Sequence, residues 1–165
     1  MDRIRKSFCM FILLILVWTA FTSARNLEEF ITGTIVALIL SIFLSNTYLD
    51  ICHTLFNIKR IIFSVVYIFV LFWEIVKANI DVAWRILHPA MPIRPGIVEI
   101  KTSLKSDLAK VALANSITLT PGTFTLDILG DRLLVHWINV KTKNIDEASR
   151  MIAGRFERYI KLILE

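Results

Sequence analysis

Glu74 and Lys77 stand three residues apart near the end of an apolar stretch. A carboxylate in that setting has two possible duties: to carry protons along a membrane path, or to pair with a lysine one helical turn away. The i,i+3 spacing and the place near the edge of the run favour pairing. Asp81 and Arg85 repeat the arrangement at i,i+4, where a solvated ion pair is expected. His136 lies in Leu134-Val135-His136-Trp137-Ile138; alternation places it opposite Thr125 and outward, as an interface or surface histidine and not a general base. Cys9 and Cys52 sit in or beside apolar runs with no partner at metal-ligand spacing, which argues against both a zinc site and a disulfide framework. No serine, cysteine or aspartate has the local setting of an activated nucleophile, and there is no glycine-rich phosphate loop. The basic residues are not interleaved with aromatics as a nucleic-acid surface requires. No catalytic, cofactor-binding or metal-binding constellation emerges.

One polar segment stands out instead. It runs Ala114-Asn115-Ser116-Ile117-Thr118-Leu119-Thr120-Pro121-Gly122-Thr123. Pro fixes φ, Gly supplies positive φ, and the threonines can satisfy turn backbone groups, so Thr120 to Thr123 reads as a turn. An exposed turn of this kind can also dock on a neighbouring protein of a complex. The candidate docking residues are Asn115, Ser116, Thr118, Thr120, Pro121, Gly122 and Thr123.

The elements that position these residues fall into two classes. The chain has 165 residues, 56% hydrophobic and 20% charged, with a mean hydropathy of +0.65. That is too apolar for one soluble domain. Residues 77–165 hold 13 Lys+Arg against 9 Asp+Glu, a balance of +4, and residues 1–76 hold 6 against 5. The N-terminal half is therefore a membrane region (1–88) with three short hydrophobic helices at 8–22, 31–45 and 61–76. A helical stem follows at 77–88, and Trp73 and Trp84 are expected to bracket the interface. Each run is short against the roughly 20 residues needed to cross the hydrocarbon core. Runs one and two can thus be spans in a thinned bilayer or a shallow hairpin joined by Ser23 to Glu29. Arg3, Arg5 and Lys6 ahead of an apolar stretch ending in Thr22-Ser23-Ala24 also allow a signal peptide, the less favoured reading. Basic clusters flank both ends of the membrane region, so three crossings would leave the positive-inside bias undecided.

Residues 89–96, with three of the four prolines, form a linker, and 97–165 a small α+β domain. Ile97 to Thr102 alternates as a strand with Val98 and Ile100 inward. Ser106 caps a short helix whose inward stripe is Leu108, Val111, Ala112 and Asn115. Phe124 to Leu129 and Arg132 to Val140 are strands joined by the Gly130-Asp131 turn. In that register Phe124, Leu126 and Ile128 share the core face with Leu133, Val135 and Trp137. The other face, with Thr125, Asp127, Leu129, Leu134, Ile138 and Val140, is too apolar for water alone and should meet a partner. Asn144 begins a capping box for one terminal helix, inward along Ile145, Ala148, Ile152, Phe156, Tyr159 and Ile163. The expected order is β-α-β-β-α, a split-βαβ sandwich.

With the Ala114 to Thr123 segment, the Leu134 to Ile138 strand and the order of apolar segments, stem and proline linker, the chain resembles the E subunit of the multisubunit Mrp-type cation/proton antiporters, the Mnh and Pha systems. The resemblance covers nearly the whole chain. It implies a non-catalytic accessory and assembly subunit of a Na+ or K+/H+ antiporter in a bacterial or archaeal plasma membrane. It implies no cofactor, and as partners the other membrane subunits and the lipid bilayer rather than nucleic acid. It also implies a cytoplasmic C-terminal domain, which for three crossings puts the N-terminus outside. Relatives of the same module belong to membrane-bound hydrogenases and sulfur-reducing complexes, and this is the alternative setting. The absence of Gln and the abundance of Ile, a composition associated with hyperthermophiles, lean weakly toward it.

Overall fold

The computed structural model describes residues 2–22, 26–44 and 57–165. Of the expected Ser23 to Glu29 connection, residues 23–25 lie outside the described residues, as do Ser45 and Cys52, and Leu27 to Glu29 form the first turn of a helix instead of the connection. The chain divides into two compact units, Met1–Asn57 and Ile58–Glu165.

The first unit is a pair of helices, α1 (Asp2–Thr22) and α2 (Leu27–Leu44). The buried positions of α2 are Gly33, Ala37 and Ser41, a small-residue stripe at i,i+4,i+8 that lets two backbones approach closely. A Cβ at Gly33 would come within 2.3 Å of the Trp18 ring, and Trp18 Nε1 donates to the Glu29 carbonyl at 3.2 Å. Large side chains such as Phe21, Ile35, Leu38 and Phe43 point outward.

The second unit opens with α3 (Ile58–Leu87), thirty residues in one helix. It ends at His88-Pro89, as the restriction on the residue before proline dictates. Among the described residues, α2 and α3 are long and apolar enough to cross a membrane by length and composition, and Ser7–Thr22 of α1 is a shorter apolar helix. After α3 come β1 (Gly96–Lys101), α4 (Asp107–Leu119), β2 (Thr123–Leu129), β3 (Arg132–Trp137), α5 (Ile145–Ile152) and α6 (Gly154–Leu164). The sheet order is β1-β3-β2 with both neighbours antiparallel to β3. One face is covered by helices, and Ile100, Leu113, Ile117, Leu133, Val135 and Ile160 are the largest fully buried side chains. Tyr67 and Leu71 of α3 pack against this core, so α3 belongs with the domain across the proline segment.

Several local expectations meet their geometry. Gly130 has φ +65° in the hairpin turn. Ser106 accepts from Ala109 N at 3.1 Å, and Asn144 accepts from Asp146 N and Glu147 N. Val98 and Ile100 face inward.

Others are corrected. The hairpin is paired Leu129 to Arg132 and Ile128 to Leu133, but a bulge between Thr125 and Asp127 shifts the register, so Thr125, not Leu126, meets Val135. Phe124 and Leu126 are consequently 53% and 48% exposed, and His136 faces Phe124 instead of Thr125. Thr125 turns to the helix side, where its hydroxyl donates to the Ala114 carbonyl at 3.2 Å. β3 stops at Trp137; Ile138 and Val140 lie beyond it and are half-buried. The inward face of α4 is Ala109, Leu113, Ser116 and Ile117. Leu108, Val111 and Asn115 point outward and Ala112 is half-buried, because small residues here let the helix sit close to its neighbours. The terminal helix breaks in two at Ala153, which is fully buried.

A polar cleft between the long helix and the Thr120 to Thr123 turn

α4 continues through Leu119, so Asn115, Ser116 and Thr118 belong to its last turns. Asn115 and Thr118 are exposed and Ser116 is buried. The Ser116 hydroxyl donates to the Ala112 carbonyl at 2.6 Å. Its one proton is thereby used, so the Tyr67 hydroxyl of α3 is the donor in the hydrogen bond that joins Tyr67 to Ser116. The Tyr67 and Tyr159 rings lie 6.2 Å apart, which extends the same contact onto α6.

The turn itself is built as its residue types require. Thr123 N donates to the Thr120 carbonyl, and Gly122 sits at φ +90°, where Pro at i+1 and Gly at i+2 give a type II turn. The Thr120 hydroxyl donates to the Ser116 carbonyl at 2.8 Å and the Thr123 hydroxyl to the Ile117 carbonyl at 2.7 Å, which ties the turn to the end of α4. A Cβ on Gly122 would meet Ile138 at 2.9 Å and Val82 at 3.4 Å. The turn therefore rests against α3 and the end of β3 in its own chain.

Between these elements lies a cleft of about 160 Å³, whose lining includes Glu74, Asp81 and Arg85 of α3, the turn, Lys141 and Arg155. Its carboxylates are paired. Lys77 Nζ donates to Glu74 Oε1 at 2.5 Å, and Arg155 of α6 donates to the other carboxylate oxygen. Arg85 grips Asp81 with two hydrogen bonds, 2.7 and 3.0 Å, and donates a third to the Pro92 carbonyl at 2.8 Å. This fork fixes where the chain turns after α3. Sequence reasoning found Glu74 with Lys77 and Asp81 with Arg85, whose partners are one turn away. It missed Arg155, which stands 81 residues from Glu74 and offers no local signal. Among the described residues no three His, Cys, Asp or Glu side chains gather as a metal site.

A long apolar helix joined to a small α+β domain by the Glu74–Arg155 ion pair and the Tyr67 hydroxyl defines a membrane-associated chain whose polar chemistry is directed inward. The model of the family described as "Na+/H+ ion antiporter subunit" matches residues 11–163, and the chain belongs to that family, the E subunits. It is 33% identical over 144 residues to the E subunit of the Na+/H+ antiporter of Alkalihalophilus pseudofirmus, covering 87% of this chain and 89% of that protein. It is 32% identical over 160 residues to the E1 subunit of the Na+/H+ antiporter of Staphylococcus epidermidis, covering 96% and 97%. Among solved structures it is similar to a chain of an archaeal respiratory membrane complex, the membrane-bound sulfane sulfur reductase. That match has a TM-score of 0.83 and 39% identity, over 96% of this chain and 98% of the other. Two of the expectations, kinship with the E subunits and a membrane setting among other proteins of a complex, are thereby met.

Proposed function

We propose that this chain is a non-catalytic accessory and assembly subunit of a multisubunit Na+ or K+/H+ antiporter in the plasma membrane, with the Ile97 to Glu165 domain in the cytoplasm. The observation that carries the reading is the pairing of the cleft charges: Glu74 and Asp81 are held by Lys77, Arg155 and Arg85. Glu74, through Arg155, holds the helix on the domain, Asp81 is clamped within α3 by Arg85, and carboxylates engaged in this way are poor stations for a moving ion. The strand order β1-β3-β2, with α4 linking the two outer parallel strands, supports a split-βαβ architecture for the domain.

The docking surface is then Asn115 and Thr118 on the outer side of α4 together with the half-buried Thr120, Pro121, Gly122 and Thr123. Ser116, engaged with Tyr67, supports it from beneath. Deleting the chain should abolish exchange by loss of the assembled complex, read on blue-native gels; an intact complex of normal stoichiometry without transport would instead give the chain a direct part in conduction. Pro121→Gly should lower the yield of complete complex while the full-length chain keeps its circular dichroism. Unchanged yield and activity would end the docking reading.

The 39% identity to a chain of the sulfane sulfur reductase favours a second setting, the equivalent antiporter-module subunit of a respiratory complex. Purifying the assembled complex and identifying its other subunits by mass spectrometry separates the two: nickel-iron or iron-sulfur subunits appear only in the second.

A further inference from the structure

The face of α3 that carries the domain is polar in its spacing, with Arg60, Ser64, Tyr67, Glu74, Asp81 and Arg85. The opposite face is apolar along the line Ile62, Val66, Phe69, Trp73, Val76, Ile80, Trp84 and Leu87; at its two margins lie Asn79, whose amide donates to the Ile75 carbonyl, and Lys77, paired with Glu74. That line is about 38 Å of helix at 1.5 Å per residue. Trp73 is 61% exposed and Trp84 56%, so the apolar face does not end where the apolar run ends but continues, as a narrower strip between Lys77 and Asn79, along the expected stem.

We propose that α3 does not cross the bilayer but lies in the plane of the membrane interface, with this face in the acyl chains and the domain on its back. Three observations carry it. First, α6 runs alongside the most apolar stretch of α3: Arg60 donates to the Glu165 carbonyl, Tyr67 meets Tyr159, and Arg155 meets Glu74. α6 and the residue after it bring Arg155, Glu157, Arg158, Lys161 and Glu165 to that level. An upright α3 would drag these charges into hydrocarbon, whereas a helix lying flat keeps them in water.

Second, the face is built for lipid and not for a partner helix. Helices that pack together in membranes meet through small residues, as α2 does with Gly33, Ala37 and Ser41. The open face of α3 presents Ile, Val, Phe and Trp. The unit Ile58–Glu165 also holds 15 Lys+Arg against 10 Asp+Glu, a balance of +5 that complements anionic headgroups.

Third, the parity of the chain is resolved. Whether α1 and α2 cross as two spans or dip in as a hairpin, they return the chain to the side from which it entered. With α3 in the plane, Arg3, Arg5 and Lys6 share a side with the basic domain, and the positive-inside bias, divided by three crossings, becomes consistent. The inference is independent of which complex hosts the chain.

Depth measurements on the full-length chain test it. Two variants retain a single tryptophan, Trp73 or Trp84, with the others replaced by Phe. Each is reconstituted in phosphatidylcholine and phosphatidylglycerol vesicles containing lipids brominated at graded acyl depths. The two residues are 11 positions apart, about 16 Å of axial rise. An in-plane helix quenches both most strongly with the shallow bromines, at coincident depth. Maxima separated by most of that rise mean that the helix crosses, and no quenching of either means that protein covers the face; each of these overturns the proposal. In native membranes of the assembled complex, Lys6→Cys and Lys143→Cys in a Cys9→Ser, Cys52→Ser background should react with an impermeant maleimide from the same side. Labelling from opposite sides overturns it independently of the tryptophan variants.

Discussion

The two units of this chain treat apolar side chains in opposite ways. In Ile58–Glu165 the sheet and its helices bury Ile100, Leu113, Ile117 and Leu133 completely, and large apolar side chains left outside include those on the open face of α3. In α1 and α2 the order is inverted: small residues are inside and Phe21, Leu38 and Phe43 are outside. The hydrophobic effect sets the first arrangement, because water is the solvent being avoided. It cannot set the second, where contact between helices rests on close packing and the exterior must suit lipid. Composition alone cannot tell these apart, since both units are rich in Ile and Leu; the direction in which the side chains point does.

The comparison is broken most forcefully in the domain core. Leu133→Ala, at a fully buried position, should destabilise the domain by about 2–5 kcal/mol, while Ile62→Ala on the open face of α3 should shift it by no more than about 0.5 kcal/mol. Thermal unfolding of the two full-length variants in detergent, followed by near-ultraviolet circular dichroism, checks the pair. Similar shifts would mean that the open face is packed against protein.

In the first unit the sensitive substitution adds volume instead of removing it. Gly33→Leu must push the Trp18 ring away, and overpacking of this kind costs about 1–3 kcal/mol. Disulfide cross-linking between cysteines placed on α1 and α2 should fall in this variant and be retained in Ile35→Leu, which points outward.

At the seam, Glu74→Gln removes the charge that Lys77 and Arg155 share, but both cations are substantially exposed. The loss should be about 1 kcal/mol or less, with exchange in inverted vesicles largely retained. Lost turnover in a normally assembled complex would instead make Glu74 a station on the proton path.

The smallest effect is expected at Glu165. Partial burial raises its carboxyl, but hydrogen bonds from the Lys105 and Ser106 amides, with the nearby Lys161 and Lys105 charges, outweigh this and hold it below the ordinary carboxylate range. A lowered folded value gives stability that is complete above the unfolded pKa and is lost as pH falls through the folded one. Glu165→Gln should therefore melt slightly below the parent at neutral pH and converge with it under acid conditions. A gap that persists in acid would assign the effect to shape and not charge.

Local signals made the domain's punctuation legible. Gly130-Asp131, the Ser106 and Asn144 caps and the alternation at Val98 and Ile100 each depend on residues within a few positions of one another. The bulge at Leu126 was not legible, because one extra residue leaves the pattern looking regular while every side chain beyond it changes face. The face of α4 was misread because its buried positions include Ala109 and Ser116, which are buried by close approach and not by their own hydrophobicity. Of the cleft, the pairs one turn apart were readable; Arg155, and the hydroxyl of Tyr67 on Ser116, 49 residues away, were not. The separation into residues 1–88 and 97–165 followed composition and prolines, whereas packing joins α3 to the domain.

The seam between α3 and α6 also sets a timetable. Arg155 is made 81 residues after Glu74, an interval of roughly 4–16 s at ordinary rates of bacterial synthesis. For that time a thirty-residue helix with one apolar side has emerged and its covering has not. Docking of α6 is a late, long-range event that no local element can anticipate. A ribosome engaged at the membrane would shelter the waiting helix on the lipid surface, so the same apolar face that anchors the finished protein would protect the unfinished one from aggregation.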